Sequence, residues 1–315
     1  MNEAPVVRRV RAFFAPVDRV AGVGTVWDPA TGFNVDAPPA PWLDLGWCKG
    51  FARKSGTKIE ALVAGAPGVA VGQVRTAVEA EVYVEFDQWG KLQLALSAGS
   101  QQMNVLARPG VVGQTGAAAN GSGGAAVGAV ALVAGSTASA LNVGAAAAFV
   151  VGDLVVVDVD YSGQTGYVGS GVSGGYVRTA VSDVEYVRRV SLNVGRVATV
   201  ANGVLGLEAP LLAGAPAAGM KVSKVVGFCD REGGGFFQEW SGLFVMDGEQ
   251  GDRVVVHYPR LQAMSGAAEA REGLVGATAK TAMERWRLAG SFRALPVKDA
   301  SDGETVVCFR SYLPA

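Results

Sequence analysis

The chain is poor in the residues that do chemistry. Its 315 residues include one histidine, His257. Any Ser-His-Asp or Cys-His arrangement would have to use it. No GxSxG elbow is present to supply the nucleophile, so His257 reads as an ordinary strand residue. The three cysteines, Cys48, Cys229 and Cys308, stand far apart. They make no CxxC pair, no zinc spacing and no disulfide framework, which fits reduced thiols. Charge is scarce as well. Only 17% of residues are charged and the formal net charge is -1. No basic surplus advertises nucleic-acid binding, and weak mutual repulsion permits self-association. Long apolar runs are missing. Residues 109–152 hold no charged side chain, but Gly, Ser, Thr and Asn interrupt them, and the run Ala145–Val151 is too short to cross a bilayer. The N-terminus is basic without the apolar stretch of a signal peptide.

Binding motifs are equally thin. Asp158-Val159-Asp160 offers two carboxylates without the ligand-dense loop that calcium requires. No strand leads into GxGxxG or GxxxxGK[ST]. Carboxylates for glycoside cleavage would have to flank a cleft, whereas those of the acidic segment described below repeat along one ridge. The expectation is no enzyme, no cofactor, no metal site and no membrane insertion.

What the chain has is glycine, 44 residues, and apolar residues, 50% of the total. Together they suit a β-rich protein with many turns. The first 41 residues, rich in Pro and Gly, read as an extended N-terminal arm. Its aromatics Phe13, Phe14, Trp27 and Phe33 point to contacts with a neighbouring subunit. Residues 42–65 turn strand-like, with basic residues among apolar ones. In 76–86 the alternation is clean: Val78, Ala80, Val82, Val84 and Phe86 share one face. Asp87 then offers an N-cap, Leu92 and Leu96 recur at helical spacing, and Gly99 is a stop, so the spacing predicts a helix over 88–98. Residues 236–246 and 253–258 read as a hairpin, 283–295 as a strand by period two, and 305–312 as the last strand.

Composition shifts near residue 109. Residues 109–220 hold only ten charged residues. The run from Val150 to Val157 looks like a turn entering a buried strand. Further strands are expected near 165–168, 175–181, 184–200 and 204–207. This block reads as a small β domain inserted into a main domain made of 42–108 and 221–315.

Two charged faces stand out. Glu79, Glu81, Glu85 and Asp87 line one face of the clean strand, where like charges repel. Arg285, Arg287 and Arg293 line a face of the strand over 283–295. Their periods match. The two faces could pair on neighbouring strands, meet across a subunit boundary, or each be solvated separately.

The segments Trp42-Leu43-Asp44-Leu45-Gly46-Trp47, Lys58-Ile59-Glu60 and Val74-Arg75 resemble the tail tube proteins of tailed bacteriophages and phage-derived particles. So does the strand Glu79–Asp87. The resemblance is densest over Trp89–Leu96 and Gly99–Asn104. It returns at Phe236-Phe237-Gln238-Glu239-Trp240, His257–Gln262 and Phe309–Tyr312. The resemblance implies a mainly β fold: a tail-tube-type β-sandwich or barrel with one flanking short helix and an outward-facing inserted domain. It implies rings, usually hexameric, that stack around a channel through which DNA passes without tight binding, in a virion assembled in the host cytoplasm. Self and other tail proteins are the implied partners. The acidic face is the candidate lumen wall or inter-subunit surface. Rival readings are a carbohydrate-binding or adhesive β-sandwich, with Tyr161, Tyr167, Tyr176 and Tyr186 as candidates, and a tail terminator or capsid decoration protein.

Overall fold

The computed structural model describes residues 7–17, 22–39, 41–88, 90–99, 101–106, 130–144, 149–158, 194–211, 214–231, 238–264, 270–273 and 284–315. They form a mainly β chain with one short α-helix. In chain order the first elements are β1 (Val7–Pro16), β2 (Leu43–Ala64), β3 (Val69–Phe86), α1 (Lys91–Ala98) and β4 (Gln101–Leu106). Next come β5 (Val130–Ala131), β6 (Ala140–Asn142), β7 (Leu154–Asp158), β8 (Val194–Ala201), β9 (Val204–Leu207) and β10 (Lys221–Arg231). The last are β11 (Glu239–Gly248), β12 (Arg253–Met264), β13 (Ala270–Gly273), β14 (Glu284–Ala294), β15 (Val297–Lys298), β16 (Thr305–Val306) and β17 (Phe309–Leu313). The chain divides into two compact units, Met1–Ser100 with Gly234–Ala315, and Gln101–Gly233.

The first unit is a closed barrel. Antiparallel neighbours run β3, β2, β1, β11, β12. β14 then pairs β3 through Leu288–Arg293 and β12 through Ser291–Ala294. Six strands thus close on themselves, which removes the edges an open sheet would leave in that stretch. Period-two alternation sends Phe14, Phe244, Tyr258 and Phe292 inward. Their rings meet edge to face at 5.3–6.2 Å between centroids. At the rim, Arg53 Nε donates to the Tyr258 hydroxyl at 3.0 Å. α1 packs on β14 and β12, with Gln93 donating to the Leu45 carbonyl and Gln238 to the Ala95 carbonyl.

Residues 22–39, with 41 and 42, form a strap over the outer face of β1, β11 and β12. Trp27, Phe33 and Trp42 pack there on Phe13, Ala15, Leu243, Val245 and Val255. The strap lies close: a Cβ on Gly24 would fall 2.0 Å from the Pro259 carbonyl oxygen. The extended arm expected over 1–41 is therefore corrected. β1 is a central barrel strand, and Phe13, Phe14, Trp27 and Phe33 are core residues at 0–7% exposure, not contacts reaching for a neighbour. Strand β1 buries both faces, one in the barrel and one under the strap, so it shows no alternation.

The helix also begins later than its spacing suggests. It starts at Lys91, with Gly90 as N-cap and no side-chain capping bond. Asp87 lies in the bend after β3, outside the helix, its N–H donating to the Trp47 carbonyl. The stop is as expected, with Gly99 in the left-handed conformation at φ 63°.

The second unit is the inserted β block, wider by contacts than 109–220. Its strands run β4, β10, β7, β8, β9, β6, with β5 also on β10. Leu132, Leu141, Phe149, Val155, Val157, Val197, Leu205 and Val222 are among its core residues. The turn before β7 and the burial of Val155–Val157 match the expectation. The strands expected between 159 and 193, and Tyr161, Tyr167, Tyr176 and Tyr186, lie outside the described residues.

Candidate functional site

The feature that the barrel does not explain is the length of β2 and β3. β1 covers β2 only as far as Cys48, and β14 covers β3 only from Glu81. Beyond those points the two strands continue as a ribbon from Lys54↔Glu81 to Ala64↔Val69. At about 3.3 Å per residue, eleven residues of β2 span about 35 Å. Every residue from Lys54 to Val71 is exposed. Both faces are open, and the outer edge of each strand lacks a partner strand among the described residues.

The composition of this ribbon is unsuited to water. Ile59, Leu62, Val63, Val69, Val71, Val74 and Val78 are 44–68% exposed. Single exposed apolar residues are ordinary, but a contiguous set marks an interaction surface. A two-stranded ribbon is marginal in water by itself. Free edges rich in Val are templates for further strands. The ribbon carries few guards against that: Lys54, Lys58, Glu60, Arg75, Glu79 and Glu81 are its charged residues.

The acidic strand face lies at the ribbon's root, on the outside of the barrel. Glu81 and Glu85 meet β14, where Arg293 Nη2 lies 3.5 Å from Glu81 and Arg287 Nη2 lies 2.8 Å from Glu85. Lys49 on β2 stands 3.3 Å from Asp87. The two charged faces are thus neighbours within one chain, in register Arg293↔Glu81 and Ala289↔Glu85. Glu79 is exposed above them. The backbone of Arg285 is in β14 opposite Glu272, and its side chain lies outside the described residues. Tyr83, between the acids, has its pKa raised by burial and by Glu85.

His257 is buried beneath the strap at 1% exposure. Its Nε2–H donates to the Thr25 carbonyl at 3.1 Å, and its ring packs between Trp42 and Phe309. Burial pulls its pKa down to about 4. Cys48 is buried and pushed up to about 12, chiefly by desolvation. Both side chains are buried, Cys48 at 7% exposure. Among the described residues no group of three or more His, Cys, Asp or Glu could hold a metal. Among them, too, no helix is long and apolar enough to cross a membrane. No family model and no curated protein matches the chain.

Sequence reasoning named the charged faces, left their pairing open, and missed the ribbon. Its signal was available: a β-compatible stretch from Leu43 to Ala64 is 22 residues, far longer than one barrel crossing needs.

Proposed function

We propose that this chain is a structural subunit that joins copies of itself side by side into rings, and that the rings stack into a tube of the kind found in the tails of bacteriophages. The exposed β2–β3 ribbon carries this reading. Its two edges differ, one from β2 and one from β3, so the contact that satisfies both is head-to-tail. Such contacts close into rings or run on as filaments. Strands β2 and β3 run in opposite directions. Identical ribbons pointing the same way around a ring therefore add antiparallel, each β3 edge receiving the β2 edge of the next copy. The result is a continuous barrel of ribbons around a channel, with the free ribbon edges paired.

The tube reading, with DNA passing through, rests on the sequence resemblance together with this ribbon. A passage for DNA must not hold phosphates through many counterion-releasing contacts. At the ribbon's root the ion pairs leave no basic surplus on β3 and β14, since Arg287 and Arg293 face Glu85 and Glu81. The chain is proposed to act without catalysis, in a virion, with self and other tail components as partners.

Negative-stain electron microscopy of the purified protein, concentrated at neutral pH, tests the reading. Rings or tubes with a stained central channel are expected. Discrete trimers, or clustering that depends on added glycans, would overturn it.

A further inference from the structure

The second unit buries a charge pair completely. Lys224 on β10 and Asp153, just before β7, are each 0% exposed. Among the described residues they are the only lysine, arginine, aspartate or glutamate buried to this degree. The ladder brings them together: Lys224 is the Cα partner of Val155, and Asp153 lies two residues back on the same face. That face also carries Val157 and Val222, both fully buried.

Burying two charges costs several kcal/mol each before their attraction is counted, and excellent hydrogen bonding is what recovers it. The geometry here is different. Lys224 Nζ stands 2.7 Å from Asp153 Oδ1, off the angle of a hydrogen bond. Asp153 Oδ2 accepts from the Val150 N–H at 2.9 Å. Asp153 is held in place by its own backbone, its N–H on the Val150 carbonyl and its carbonyl on the Val197 N–H. An amine is therefore pressed against a fixed carboxyl group whose other oxygen faces a hydrogen-bond donor, in a site without exposure to water.

We propose that Lys224 and Asp153 condense into an intramolecular isopeptide bond. The condensation begins with one proton moving from Nζ to Oδ1, which leaves a free amine beside a carboxylic acid. The Nζ lone pair attacks Cγ. Charge develops on Oδ2, where the Val150 N–H stabilises it. Oδ1 takes a second proton from Nζ and leaves as water. The bond formed is Nζ–Cγ and the bond broken is Cγ–Oδ1. The balance is one amide and one water, with no oxidant, reductant or cofactor. Both buried charges disappear, and the new carbonyl keeps its donor. The link ties the entry to β7 covalently to β10 and hardens the unit against heat and pulling.

The test is intact mass spectrometry of the purified full chain under denaturing conditions, beside the variants Lys224→Met and Asp153→Ala. The wild type is expected to be lighter than its sequence by one water. Proteolysis should then yield a branched peptide joining the segments around Asp153 and Lys224. Both variants should show their sequence masses. A wild-type chain at its full sequence mass, with β structure intact by circular dichroism, would overturn the proposal. So would a water loss that persists in both variants.

Discussion

His257 offers a direct reading of how firmly the strap is seated. The chain has no other histidine, so its imidazole resonance in a carbon-13 NMR spectrum needs no assignment. Burial holds the folded-state pKa near 4 against an ordinary value of 6.5. The unfolded chain therefore takes the proton first. The stability this creates is whole above pH 6.5 and is lost as pH falls through 4. At 1.36 kcal/mol per pH unit the gap is worth about 3 kcal/mol. Carboxylates titrate in the same window, so the comparison must be made against His257→Gln, which cannot charge. Urea unfolding from pH 7 to pH 4 should show the wild type losing about 3 kcal/mol more than the variant. The resonance of the folded protein should move only near pH 4. Titration at 6.5 in the folded state, or parallel stability curves, would show that the ring is not sealed between Trp42, Phe309 and the Thr25 carbonyl.

Further outcomes follow from the same packing. Phe292→Ala, which empties the centre of the aromatic barrel core, should cost about 3–5 kcal/mol in chemical denaturation. Gly24→Ala should lift the strap off Pro259 and expose Trp27, read as a red shift of tryptophan fluorescence. Glu85→Arg and Arg287→Glu should each destabilise and together recover. The coupling should be about 0.2–1 kcal/mol, because both side chains are partly exposed and screened. Val71→Lys with Leu62→Lys should leave the melting temperature of the isolated chain unchanged and abolish rings in electron micrographs.

The barrel was legible in the sequence wherever one face of a strand meets water. Val82, Val84 and Phe86 alternate with acids on β3, and Leu288 and Phe292 alternate with arginines on β14. Period two was enough there. It failed for β1, whose Phe13 and Phe14 are both buried because a second layer covers the barrel. Strand β11 carried the same message in its unbroken run Leu243-Phe244-Val245, each 0% exposed. Such a run needs cover on both faces, and the Pro- and Gly-rich segment nearest in fold supplies it. The charge faces could be matched by period, yet not assigned to one chain or two, since period says nothing about neighbours. The ribbon was hidden for another reason. Its apolar residues look like core, and only the end of pairing at Cys48 and Glu81 reveals that one chain leaves them open.

Hydrogen–deuterium exchange across residues 54–80, in dilute and in concentrated protein, tests the self-assembly claim most directly. In a lone chain the outward-facing amides of β2 and β3 meet only water. Side-by-side addition pairs them. The account predicts that protection rises steeply with concentration in this ribbon and hardly at all in the barrel strands β11 and β12. A ribbon that exchanges freely at the highest concentration, or assemblies whose protection lies elsewhere, would contradict it.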